Sequence, residues 1–214
     1  MSFTWGKRTY VMGILNVTPD SFSGDGILSD RDWLPAVVAQ AKSFVAEGAD
    51  ILDVGGESTR PGSTPVTGEE ELKRVVPAIT AIRKELDIPN SDDTYRAVEA
   101  EAALDAGADW VNDVWGLRMD EKLAGLIAAR GCPSVIMNNS SKPKDVAQEE
   151  RLGGRYVGVE YGDVIADVAH ELEVSVDIAV RAGVKVEQII LDPGIGFGKT
   201  VSQNCLLIDE LDQI

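Results

Sequence analysis

Glu47-Gly-Ala-Asp-Ile-Leu-Asp53 and Ala106-Gly-Ala-Asp-Trp-Val-Asn-Asp113 are two copies of one device, and their reading decides the fold. Each runs from a helix end through a glycine turn into a short apolar strand that finishes on a polar tip. Repetition of that device predicts βα units, with parallel strands covered by helices. Outward from these copies, short aliphatic runs at 10–15, 51–54, 88–92, 110–112, 134–137 and 188–191 make six strand candidates.

The stretches between them carry helical periodicity. Trp33, Val37, Ala41, Phe44 and Val45 recur at helical spacing, with Pro35 tolerable near the start because Asp30 or Asp32 can cap just upstream. Thr67 and Glu70 form a capping box ahead of the apolar stripe Leu72, Val75, Val76, Ile79, Ile82 and Leu86. Ile165, Val168, Leu172, Val176 and Ala179 mark a later helix, and shorter ones are expected at 96–106 and 121–129. Gly48, Gly107 and Gly183 fall where helices should turn toward strands. One α/β domain over 1–214 is the expectation.

Composition removes several function classes. A formal charge of -16 argues against a nucleic-acid surface or an anionic membrane, both of which need clustered Lys and Arg. Residues 1–10 include Lys7 and Arg8 but no apolar run long enough for a signal peptide or span, so a cytoplasmic location is expected. Cys132 and Cys205 stand far apart, without a zinc or disulfide pattern. The single histidine, His170, lies among Asp167, Glu171 and Glu173 on a helix, which disfavours a histidine metal cluster or triad.

In barrels and in open doubly wound sheets alike, active groups gather at the C-terminal strand ends. Here the first strand leads into Asn16, Asp20 and Ser21, which are hard oxygen donors. The second leads into Glu57, Thr59 and Arg60, stiffened by Pro61, with Arg60 a candidate anion clamp. The third ends at Asp93, the fourth at Asn112, and the sixth at Asp192-Pro-Gly-Ile-Gly-Phe-Gly-Lys199. Acidic and amide tips supply the acceptors and donors that a flat amino-pyrimidinone edge requires, so a pterin or purine would fit. The glycines at 194–198 match neither the phosphate-loop nor the dinucleotide fingerprint, and leave a loop carrying Gly196, Phe197 and Lys199.

These motifs, in this order, resemble dihydropteroate synthase across essentially the whole chain: Leu15-Asn-Val-Thr-Pro-Asp-Ser-Phe-Ser, Asp53-Val-Gly-Gly-Glu-Ser-Thr-Arg-Pro-Gly, Asp93-Thr-Tyr, Asn112-Asp-Val-Trp-Gly and Asp192-Pro-Gly-Ile-Gly-Phe-Gly-Lys. The resemblance implies a (β/α)8 barrel, of which this chain carries about six βα units. It implies condensation of 6-hydroxymethyl-7,8-dihydropterin diphosphate with p-aminobenzoate, assisted by Mg2+, in a family whose members are usually homodimers. Asp93, Asn112 and Asp192 would hold the pterin edge with Met137 beside the ring. Asn16 would bind magnesium, and Thr59, Arg60, Pro61, Gly196, Phe197 and Lys199 would order around p-aminobenzoate.

Three features depart from the family pattern. The seventh and eighth βα units have no counterpart, which leaves the first and sixth strands with open edges. Asn90 and Asp92 stand at usually aliphatic positions, and strand alternation sends them under the helices if Asp93 faces the site, so the third strand should be weakened. Asn138, Asn139 and Ser140 stand where basic side chains are usual. A non-catalytic pterin-binding module or an inactive fragment is therefore the competing expectation.

Overall fold

Strand alternation explains how the two faces of the sheet divide the labour. A computed structural model describes residues 3–17, 33–57, 67–140, 147–149, 155–157 and 160–214. It divides into two compact units, Met1–Ser58 with Pro65–Asn112 and Thr59–Thr64 with Asp113–Ile214.

The first unit alternates β1 (Met12–Asn16), α1 (Leu34–Glu47), β2 (Ile51–Gly55), α2 (Gly68–Glu85), β3 (Asn90–Asp93), α3 (Ala97–Ala106) and β4 (Trp110–Asp113). The four strands pair parallel in that order. Leu15, Val54, Asp92 and Val111 share one register row, and all four are fully buried. That face meets the helices, since Leu15, Leu52 and Val54 cluster with Val37 and Ala41 of α1 and Val75, Ile79 and Ile82 of α2.

The helix boundaries follow the sequence signals. Thr67 Oγ1 accepts the Glu70 N–H at 3.3 Å and Glu70 Oε2 accepts the Thr67 N–H at 3.4 Å, closing the expected capping box. Gly48, Gly107 and Gly183 adopt φ of 107°, 114° and 100°, the left-handed turn that glycine takes without strain. At α1 the capping position is Trp33, with no side-chain cap and Pro35 in the first turn; Asp30 and Asp32 lie outside the described residues.

The second unit holds α4 (Leu123–Arg130), β5 (Ser134–Met137), α5 (Val164–Ala182), β8 (Ile189–Asp192) and α6 (Val201–Asp209). Between β5 and α5 an antiparallel pair, β6 (Ala147–Glu149) with β7 (Arg155–Val157), was not anticipated. β5 and β8 pair parallel from Ser134↔Ile189 to Met137↔Asp192. Leu207 of α6 packs with Val164, Val168 and Leu172 of α5, and Ile214 joins them, so the final segment is structured. The α/β class with parallel βα units is borne out. Among the described residues β1 pairs only with β2 and β8 only with β5.

Asp92 is the flaw in the buried face, as the substitution pattern foretold. Both carboxylate oxygens lack a hydrogen-bond partner, as does Asn90 Oδ1. Burial holds its carboxyl well above the usual carboxylate range, and the nearby charges of Glu71 and Asp53 push the same way. Keeping such a group neutral costs nothing below its unfolded pKa of about 4. The cost grows as pH rises above that value, until the folded carboxyl itself ionises. Asp92→Val should therefore stabilise the chain by ~2–4 kcal/mol at pH 7. The gain should shrink as pH falls toward 4. Thermal melts of both proteins across that range check this, and a variant no more stable at pH 7 contradicts it.

Candidate active site

On the opposite face of the first unit, register aligns the strand tips: Asn16 with Gly55, Gly55 with Asp93, and Asp93 with Asn112. Neighbouring strands lie about 4.8 Å apart, so Asp93 and Asn112 are adjacent functional groups on one row. Two residues earlier on the same face stand Asp53 and Ser91. The Asp53 carboxylate is 2% exposed; it accepts from Ser91 Oγ at 2.5 Å and from Asn112 Nδ2 at 3.0 Å. Burial raises its pKa, and the bonds from Ser91 and Asn112 oppose that rise. An amide has distinct donor and acceptor ends, so the bond to Asp53 fixes which way Asn112 is turned.

Glycine at position 55 keeps this row open. A Cβ there would stand 3.2 Å from Asp93 Oδ2 and 3.4 Å from Asp93 Cβ. Arg96 bridges Glu57, just past β2, at 3.0 Å to Glu71 of α2. Tyr95 donates to the same Glu57 oxygen at 3.3 Å. Glu99 is buried as well, and desolvation, then its hydrogen bond with Glu71, raise its carboxyl far above the usual range.

In the second unit, Met137 and Asp192 are register partners at the tips of β5 and β8. Asp192 Oδ1 accepts the Gly194 N–H at 2.7 Å, a local turn that starts the glycine-rich loop. Burial raises the Asp192 carboxyl, while Gly194 and Lys199 draw it back down. Lys199 is 1% exposed and donates to Asn138 Oδ1 at 2.8 Å, Gly194 O at 3.1 Å and Phe197 O at 3.1 Å. Burial lowers its pKa to about 8 against the opposing charges of Asp192 and Glu171. Asn138 Nδ2 donates to Glu171 Oε2 at 3.0 Å, and Ser140 Oγ lies 2.8 Å from both Glu171 oxygens.

The expected residues thus fall into two groups, each coherent by itself. Asn16, Asp93 and Asn112 share the first row; Met137, Asp192, Gly196, Phe197 and Lys199 surround the tips and loop of the β5–β8 pair. Thr59, Arg60, Pro61, Asp20 and Ser21 lie outside the described residues. Asp53 and Ser91 were not singled out as functional, although alternation from Asp93 places Ser91 on the same face. In the sequence Asn138 stands out only as the loss of a basic group, and its two hydrogen bonds, from Lys199 and to Glu171, have no periodic signature.

A magnesium ion keeps most of its waters and takes one or two protein oxygens together with substrate phosphates. Half-buried Asn16, at the tip of β1, offers one amide oxygen of the right hardness. Among the described residues no group of three His, Cys, Asp or Glu side chains could hold a metal by itself. The donor set fits an ion brought with a phosphorylated ligand and does not fit a preformed protein cage.

Comparison with known proteins agrees with this geometry. The family model described as pterin binding enzyme matches residues 12–214. The dihydropteroate synthase of Clostridium beijerinckii is 46% identical over 212 residues, which are 99% of this chain and 72% of that protein. A crystal structure of the Clostridium difficile dihydropteroate synthase, determined in the presence of pteroic acid, matches with a TM-score of 0.87 at 46% identity, over 99% of this chain and 74% of that one. The Xanthomonas albilineans dihydropteroate synthase with 4-aminobenzoic acid matches with a TM-score of 0.82 at 39% identity, over 96% and 68%. The barrel-type βα units expected from the sequence are those of these neighbours. The chain belongs to the pterin-binding enzyme family and, within it, to the dihydropteroate synthases.

Proposed function

We propose that the chain condenses 6-hydroxymethyl-7,8-dihydropterin diphosphate with p-aminobenzoate, giving 7,8-dihydropteroate and pyrophosphate. The observation that carries this reading is the row Asn16–Gly55–Asp93–Asn112, with Asp53 bonded to Asn112 from the layer below. A carboxylate and an oriented amide side by side offer the acceptors and donor that the amino-pyrimidinone edge of a pterin demands. By the family's motif positions, Asp192 would supply a second carboxylate and Met137 an apolar surface for the ring. Asn16 would hold Mg2+, which when bound would supply positive charge against the departing diphosphate.

The methylene C–O bond breaks as pyrophosphate leaves, the p-aminobenzoate nitrogen forms the new C–N bond, and one amine proton passes to solvent. Asp93 and Asp192 favour positive charge as it develops on the pterin methylene. Phe197 and Gly196 meet the aromatic amine, together with Thr59, Arg60 and Pro61. The charge of -16 favours small-molecule substrates over a nucleic acid or an anionic membrane.

Two outcomes test this reading. Incubation with both substrates and magnesium should yield dihydropteroate, and chelation of the metal should stop it; no product at high enzyme concentration rejects catalysis. Asp53→Ala should weaken binding of 6-hydroxymethylpterin about tenfold, because Asn112 loses the bond that turns it. Calorimetry decides this point, and unchanged affinity contradicts it. A second reading, a pterin-binding module without turnover, draws on Asn138 and Ser140, which spend their polar groups on Glu171. Pterin binding with no product would favour that reading.

A further inference from the structure

We propose that Lys199 is a positioning residue: anchored on Asn138, its ammonium holds the turn bearing Gly196 and Phe197 shut, and so sets how tightly p-aminobenzoate is held. The proposal rests on the assignment of Phe197 to the p-aminobenzoate side of the reaction. An ammonium has three N–H donors and no acceptor. Here the three acceptors within reach are Asn138 Oδ1, Gly194 O and Phe197 O, and the side chain is 1% exposed. No donor remains for a substrate carboxylate.

The bonds instead knit three places together. Two carbonyls belong to the turn itself, which also closes through Phe197 N–H to Gly194 O at 3.1 Å. The third acceptor belongs to the tip of β5, where Asn138 donates its own amide to Glu171 of α5. Close packing of the same two segments is enforced at Gly194, where a Cβ would lie 2.0 Å from Asn138 O. Asn138 therefore serves both sides, its carbonyl facing the lysine and its amide facing the helix.

The knot depends on charge. Asp192 faces the ammonium from β8, Glu171 from α5, and the Tyr161 ring, from the segment before α5, has its centroid 5.7 Å away. Desolvation nevertheless brings the lysine down to about 8. Loss of the proton leaves two donors for three acceptors, so one of the three bonds that knit the turn to β5 is lost. Below that pH the lysine carries all three N–H donors and the knot is complete; as pH rises through it the third proton is lost and the knot loosens.

The test uses the full chain, wild type against Lys199→Met and Asn138→Ala, with two readouts. In steady-state kinetics from pH 6.5 to 9.5, the wild-type KM for p-aminobenzoate should rise about tenfold above pH 8, the worth of one buried hydrogen bond, while kcat changes far less. Asn138→Ala should move that rise to lower pH, and Lys199→Met should show a high KM without it. A wild-type KM that stays flat, or a Lys199→Met KM equal to wild type, overturns the proposal. Amide hydrogen exchange at 194–198 supplies the second readout and needs no turnover. Faster exchange there in both variants, with α5 unchanged, supports the knot even in a chain that makes no product, whereas retained protection overturns it.

Discussion

A carboxylate taken out of water must be met by donors, and at Asp53 that requirement ties three strands of the candidate site together. Its two oxygens are met by Ser91 of β3 and Asn112 of β4. With both oxygens matched, neither β3 nor β4 can shift against β2 without leaving a buried carboxyl oxygen without its donor. The row above, Asn16, Gly55, Asp93 and Asn112, inherits that fixity. Recognition of a flat ring by adjacent polar groups depends on such prior orientation, because a rotating amide offers the wrong end half of the time.

One residue away, the same chemistry has the opposite result. Asp92 points to the other face, into a row with Leu15, Val54 and Val111, and its oxygens meet no partner. Two carboxyl groups on neighbouring strands, Asp53 and Asp92, thus differ because one faces donors and the other faces aliphatic carbon. The functional face of β3 is well matched and its packing face is not, so the strand that presents Asp93 carries a stability cost unrelated to ligand recognition. Lys199 follows the rule of Asp53: a buried ion matched by as many acceptors as it has donors.

Much of this was legible in the sequence, for reasons that can be located. Thr67 and Glu70 announced α2, and Gly48, Gly107 and Gly183 announced three helix ends, because local backbone chemistry alone determines caps and turns. The β5 bounds, 134–137, agree to the residue, and β3 starts two residues later than the apolar run suggested, since Ile88 and Pro89 precede its ladder. Alternation also placed Asn90 and Asp92 correctly under the helices. Tertiary hydrogen bonding was not legible: nothing in the spacing of Asp53, Ser91 and Asn112 says which amide end is bound. The reach of Lys199 back to Asn138, and the β6–β7 hairpin in a polar stretch without alternation, are invisible for the same reason. They are choices made between segments far apart in the chain.

The most direct measurement is a crystal structure of this chain with 6-hydroxymethylpterin bound. The account predicts the pyrimidinone edge within hydrogen-bond distance of both Asp93 and Asn112, with the Asn112 amide still donating to Asp53. A ring bound elsewhere, or an Asn112 turned away from Asp53 to meet it, would contradict the account.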